Sequence, residues 1–77
     1  MKRSRWFEGV LYAEEQYKQG WELQRCYESP LASHTWCIWV KVGEKEVVSK
    51  SSPFLQQDFE FLKGILDYKQ HVEDMSL

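Results

Sequence analysis

The stretch from residue 35 to residue 48, TWCIWVKVGEKEVV, constrains the fold more than any other part of the chain. β-Branched and aromatic residues lie on both sides of Gly43-Glu44, a pair that suits a two-residue hairpin turn. Residues 21–28, WELQRCYE, alternate in a similar way, and the turn-like PLAS of residues 30–33 joins the two runs. The sequence therefore predicts three antiparallel strands in a meander.

Helical segments flank these strands on both sides. Apolar residues recur at the helical period from residue 4 to residue 19, and Gly20 follows where a C-cap glycine belongs. A second helix is predicted from Ser52-Pro53 to about Val72, since serine can cap and proline suits the first helical position. We therefore predict one α+β domain over residues 1–77, in the order α-β-β-β-α, a three-stranded antiparallel meander with two helices packed on one face.

Both predicted helices carry an internal glycine in a similar setting, WFEGVL at residues 6–11 and FLKGIL at residues 61–66. A glycine inside a helix costs about 1 kcal/mol relative to alanine, so it usually has a packing reason. The repeated Gly9 and Gly64 therefore predict two helices that cross closely. Glycine-mediated association between two chains is the alternative.

A symmetric turn at PLAS sets the register of the first predicted hairpin. Tyr27 then lies opposite Trp36 on the core side, and Cys26 lies opposite Cys37 on the outer side. The same register places Trp39 on the outer face, as the apolar centre of a charged rim. Such a composition is typical of protein-binding patches, and plain cross-strand packing is the alternative. The predicted partner-binding residues on this outer face are Trp39, Val48, Gln24, Lys41, Glu46 and Lys50.

Three ionisable residues occupy positions where the pattern favours apolar ones: Glu14 on the first helix, Arg25 on the first strand and Asp58 on the second helix. Two carboxylates on facing helices could support acid–base catalysis if burial raised their pKa values. A semi-buried structural ion pair between Arg25 and one of these carboxylates is the simpler interpretation. Because so small a chain has little room for a cleft, we expect neither an enzyme nor a bound cofactor.

Two cysteines do not make the disulfide framework of a small secreted protein. Reduced Cys26 and Cys37 in the cytoplasm are therefore expected, and a redox switch between them is the alternative. His34 and His71 lie far apart without metal-binding spacing, so no metal site is predicted. Acidic residues interrupt the segment after the basic start, and no apolar run could span a bilayer, so neither a secretory leader nor a membrane anchor is predicted.

Nucleic-acid binding is the alternative function. The predicted order α-β-β-β-α is similar to that of double-stranded-RNA-binding domains, which carry a lysine cluster at the start of their last helix. Here that position reads SKSSPFLQQDFEF, with Lys50 alone before the predicted helix. The basic start of the chain, Lys2, Arg3 and Arg5, is a second route to phosphates, although a net charge of −2 supplies no basic face.

The favoured function is that of a small cytoplasmic protein-interaction module, an adaptor or inhibitor that binds a protein partner through the outer sheet face. With 43% hydrophobic and 16% aromatic residues, the chain can build a core, so intrinsic disorder is not expected. Short chains without a catalytic set are typical of phage and prophage accessory proteins. A homodimer through the same aromatic patch is a further alternative.

Overall fold

Helix, three antiparallel strands and a second helix follow one another along the chain. The structure, a computed structural model, describes residues 3–29 and 33–76. The elements are helix α1 (Arg5–Lys18), strand β1 (Glu22–Glu28), strand β2 (His34–Val42), strand β3 (Val47–Leu55) and helix α2 (Phe59–Met75). The strands form one antiparallel sheet in the order β1-β2-β3, and both helices pack on the same face of it. The predicted α+β fold is confirmed.

The ends of α1 follow from local capping chemistry. The Ser4 hydroxyl accepts a hydrogen bond from the backbone N–H of Phe7 at 3.1 Å, which satisfies one of the free donors of the first turn. At the other end Gln19 is the C-cap, and Gly20 follows with φ +93°. Glycine adopts this left-handed conformation at little cost, so the predicted glycine stop is confirmed.

The first hairpin has the predicted register over its first four pairs and departs from it beyond a β-bulge. Cys26 lies opposite Cys37 and Tyr27 lies opposite Trp36, as predicted. The register then shifts between Leu23 and Arg25, so that Leu23 faces Trp39 instead of Val40. Three of the four PLAS residues that suggested this turn, numbers 30–32, lie outside the described residues.

Two boundaries after β2 differ from the prediction. The second hairpin has a four-residue loop, closed by a 2.8 Å hydrogen bond from the N–H of Gly43 to the carbonyl of Glu46, so the two-residue turn is wrong. Strand β3 then continues to Leu55, and the predicted helix start at Ser52-Pro53 is also wrong. Proline is tolerated in β3 because β3 is an edge strand. No further strand lies beside its free edge, so a missing backbone N–H at that edge removes no hydrogen bond between strands.

One hydrophobic core fills the space between the sheet and the helices. Its fully buried centre is Trp39, whose ring meets Tyr12 and Tyr17 edge-on, with centroids 6.0 and 6.2 Å apart. Edge-to-face contacts of this kind stabilise aromatic cores beyond the area they bury. Its buried apolar residues are Ala13, Leu23, Cys37, Trp39, Phe61, Leu62 and Ile65.

The two helices cross at their internal glycines. A Cβ atom at Gly64 would lie 2.0 Å from the carbonyl oxygen of Trp6, and one at Gly9 would lie 2.0 Å from the carbonyl oxygen of Phe61. These distances are far inside van der Waals contact, so only glycine lets the two backbones approach this closely. The packing explanation for the repeated glycines is confirmed.

Candidate protein-binding face

The two tryptophans of β2 have exchanged the positions that the sequence predicts. Trp39 has no exposed surface and lies on the helix-covered side of the sheet, so its predicted place on the outer face is wrong. Trp36 lies on the opposite side and is partly buried. A side chain with no accessible surface cannot contact a partner while the chain stays folded.

The other predicted partner-binding residues do not form a patch with one another on the outer face. Lys41 and Lys50 lie on the helix-covered side, with ammonium groups 4.7 and 4.4 Å from the ring centroid of Trp21. Lys50 also donates a 2.6 Å hydrogen bond to the side-chain oxygen of Gln16. Val48 is opposite Lys41 on β3 and is 44% exposed. Gln24 lies at the bulge and Glu46 lies in the β2–β3 loop, so the predicted partner-binding patch is wrong.

The predicted ion pair between Arg25 and a helix carboxylate is wrong as well. Arg25 points away from the helices, and its guanidinium carbon lies 5.5 Å from the ring centroid of Tyr27. Asp58 instead accepts two hydrogen bonds from Arg5, and Glu14 forms an ion pair with Lys18 at 3.3 Å. The hydrogen bond to Asp58 raises the pKa of Arg5 above its ordinary value, because it stabilises the charged guanidinium.

The N-terminal basic cluster is partly engaged within the chain. Arg5 contacts both Asp58 and Glu8, so its charge is matched by carboxylates. Arg3 is exposed, and Lys2 lies outside the described residues. A phosphate would have to compete with two carboxylates for Arg5, which weakens this route to nucleic-acid binding.

The side of the sheet that the helices leave uncovered is called the open face below. Along each strand, the side chains of the open face alternate with the side chains that point toward the helices. Across the two hairpins, the residues of the open face lie opposite one another. The open face consists of Glu22, Arg25, Tyr27, His34, Trp36, Ile38, Val40, Val42, Val47, Ser49, Ser51, Pro53 and Leu55.

An apolar row along β2 forms the middle of the open face. Trp36, Ile38 and Val40 are partly buried by their neighbours on β1 and β3. Tyr27 lies directly opposite Trp36 and is 43% exposed, while Val42 at the far end is 75% exposed. The row is continuous, so it forms a patch and differs from the scattered single hydrophobes that are normal on a surface.

Charge on the open face is confined to the β1 side. Arg25 and Glu22 are its charged groups, whereas β3 contributes small side chains such as Ser49 and Ser51. Arg25 makes no ion pair with any residue of the two described ranges. Its guanidinium lies on the Tyr27 ring, which leaves hydrogen-bond donors free for a carboxylate from outside.

The predicted pairing of Cys26 with Cys37 is confirmed, but its predicted place on the outer side is wrong, because both residues lie on the helix-covered side. Both thiols are free, and their sulfur atoms lie 3.0 Å apart. Cys37 is fully buried, and Cys26 is partly buried at the edge of the sheet. Elsewhere in residues 3–29 and 33–76, no group of three His, Cys, Asp or Glu side chains is placed to hold a metal ion.

Comparison with protein-family models, with curated proteins and with solved structures finds no match for this chain. Among the described elements, neither helix combines the length and the apolar character needed to cross a membrane.

The structure places on the open face a set of residues that the sequence pattern assigns to the core: Arg25, Tyr27, Trp36, Ile38, Val40 and Val42. One signal in the sequence marks the members of this set that lie on β2. The alternating residues Trp36, Ile38, Val40 and Val42 form the longest apolar series on β2. That series shows that these side chains share a face, but it does not show which face the helices cover.

Proposed function

We propose that this chain is a small protein-interaction module, of adaptor or inhibitor type, and that its open face is the binding surface. The observation that carries the proposal is the contiguous group of Trp36, Tyr27 and Arg25 on a sheet face that neither helix covers. Tryptophan, tyrosine and arginine are the residue types most enriched among those that dominate binding energy at protein interfaces.

The partner that fits this surface is a different protein with an apolar patch beside a carboxylate. The apolar row of β2 matches the patch, and Arg25 supplies a planar pair of donors for the carboxylate. A nine-residue strand is about 30 Å long and three strands are about 14 Å wide, so the plan area is roughly 400 Å². Two flat copies would meet over an area small for a stable dimer, whereas a larger partner can extend beyond the sheet.

The proposal includes a cytoplasmic location and no catalytic role. Support for the location is the cysteine content, since two thiols in a small chain are not the framework of a secreted domain. Support for a non-catalytic role is the chemistry of the open face, which combines aromatic, aliphatic and hydroxyl side chains with one arginine, one glutamate and the single imidazole of His34.

In the test, the full chain first serves as bait to capture a partner protein from its native host. The affinity of the purified partner for the wild type and for three variants is then measured by titration. Trp36→Ala and Arg25→Ala should each weaken binding at least tenfold, because both remove a side chain of the proposed contact group. Val48→Ala is the matched control, since Val48 is an exposed apolar residue of the same sheet but lies on the other side of it. Its affinity should stay within a factor of about two.

A folded Trp36→Ala chain that binds the partner as tightly as the wild type would refute the proposal. Thermal unfolding of each variant establishes that it is folded. Sedimentation of the bait alone separates a foreign partner from a second copy: a monomer supports the proposal, and a dimer that Trp36→Ala dissociates contradicts it.

A further inference from the structure

Cys26 lines a groove between β1 and α2, and Cys37 lies directly opposite it on β2. The groove has a volume of about 380 Å³ and is walled on the α2 side by Phe59, Leu62 and Leu66. Phe59 is 67% exposed and Leu66 is 44% exposed, so the groove is open to solvent. A small molecule can therefore enter the groove beside Cys26 without unfolding of the chain.

The backbone geometry suits a bond between the two sulfurs. Residues directly opposed on antiparallel strands have Cα atoms about 4.5–5.5 Å apart, which lies within the range that disulfides span. The sulfur atoms are already 3.0 Å apart, so a closure of about 1 Å forms the bond. Strand pairing thus holds both thiols in place before any reaction begins.

The two thiols differ in access and in acidity. Cys26 lines the groove, whereas Cys37 has no exposed surface. The hydrogen bond with Cys37 lowers the pKa of Cys26 below the ordinary thiol value, and the positive charge of Lys69 acts in the same direction. The same hydrogen bond and burial raise the pKa of Cys37. Cys26 is therefore the better nucleophile of the two thiols, and Cys37 is the buried partner that can react after it.

We propose that Cys26 and Cys37 form a thiol–disulfide exchange site, in which the groove admits a small organic disulfide to Cys26 and Cys37 resolves the mixed disulfide. The Cys26 thiolate attacks one sulfur of the small disulfide, whose S–S bond breaks and releases a thiolate that takes up a proton. Cys37 then gives up its proton and attacks the Cys26 sulfur, which releases the second small thiol. The protein thiols lose two electrons and two protons, and the small disulfide gains both.

The experiment incubates the reduced full chain with oxidised glutathione and follows the products by intact-mass spectrometry. Wild type should lose two hydrogens without accumulating a glutathione adduct. Cys37→Ala should stop at the adduct, because no resolving thiol is left. Cys26→Ala is the matched control, and it should react at least tenfold more slowly, since Cys37 is buried. Circular dichroism confirms that both variants are folded.

Three results would overturn the proposal: wild type that stays reduced, wild type that accumulates a stable adduct, or equal rates in the two single variants. A second measurement needs no variant. Oxidised wild type should melt on the order of 10 °C above the reduced chain, because the bond closes a short loop in the unfolded state. An oxidised chain that melts no higher than the reduced chain would contradict a bond formed within the native hairpin.

Discussion

Replacement of Gly64 by alanine tests the helix crossing most directly. In an ordinary helix interior this change stabilises the protein by about 1 kcal/mol, because alanine loses less backbone entropy. Here the added Cβ would lie 2.0 Å from the carbonyl oxygen of Trp6 and 2.9 Å from the backbone nitrogen of Val10. Both atoms belong to the backbone of α1, so no side-chain rotation relieves the contact.

The size of the effect follows from the separation that the helices would need. A carbon atom approaches a carbonyl oxygen to about 3.4 Å at closest, so α1 and α2 would have to move apart by roughly 1.4 Å at the crossing. Overpacking of a core commonly costs about 1–3 kcal/mol, and a clash of two backbones belongs at the upper end. With the gain of about 1 kcal/mol from helix propensity deducted, Gly64→Ala should destabilise by about 2 kcal/mol.

Thermal unfolding followed by circular dichroism measures this loss. A destabilisation of about 2 kcal/mol lowers the melting temperature of a domain of this size by about 8–16 °C. Lys63→Ala is the matched control, because Lys63 is the exposed neighbour of Gly64 in the same turn, and its effect should stay within about 0.5 kcal/mol. Gly9→Ala should behave like Gly64→Ala, and the double variant should cost less than the sum, since one separation relieves both contacts.

A Gly64→Ala chain that melts at or above the wild-type temperature would refute the close crossing. The same result with Gly9→Ala would remove the packing explanation for both glycines.

Three further predictions concern stability. In urea unfolding, Trp39→Ala should lower the free energy of unfolding by about 3–5 kcal/mol and Trp36→Ala by about 1 kcal/mol, because only Trp39→Ala leaves a cavity in the core. A larger loss for Trp36→Ala than for Trp39→Ala would mean that the two sheet faces are misassigned. Burial raises the pKa of Tyr17 above its ordinary value of 10.0, so the unfolded chain ionises first and the free energy of unfolding should fall as the pH rises above 10. Tyr17→Phe should reduce that fall in urea titrations across this range, and an unchanged slope would contradict the assignment. Ser4→Ala should lower the free energy of unfolding by about 1 kcal/mol and Ser4→Gly by only a few tenths, whereas equal losses would argue against the observed cap.

Local signals were sufficient for much of the fold. The order of elements, the stop of α1 at Gly20 and the crossing glycines all depend on a few neighbouring residues. The pairing of Cys26 with Cys37 was also predictable, because a short connection leaves few registers for a hairpin.

The position of Phe54 on β3 is one reason why the sequence does not reveal which side of the sheet is buried. Residues 52–55 carry a serine-proline pair that resembles a helix start, so Phe54 was assigned to the second helix. In the structure Phe54 lies on β3, and its ring centroid is 5.5 Å from that of Tyr12 and 5.3 Å from that of Phe61. If Phe54 is assigned to the helix, the sheet side that carries Trp39 has one large apolar residue fewer than it has in the structure.

The bulge had a similar effect on β1. Counted by strict alternation from Cys26, Leu23 belongs on the open face. The register shift between Leu23 and Arg25 turns Leu23 to the helix-covered side, where it is 4% exposed opposite Trp39. This bulge depends on tertiary contacts such as the burial of Leu23 opposite Trp39. The local sequence alone therefore does not predict it.

The sequence by itself determined which residues form helices and strands in outline, and which neighbours across the first hairpin meet. Only the tertiary structure decided that Trp39 is buried and that Trp36, with Tyr27 and Arg25, stands on the open face. The physical reason is that alternation along a strand assigns side chains to two sides but does not distinguish the sides. The helices make that distinction, since they cover the side where Leu23, Trp39 and Phe54 bring apolar surface from all three strands together.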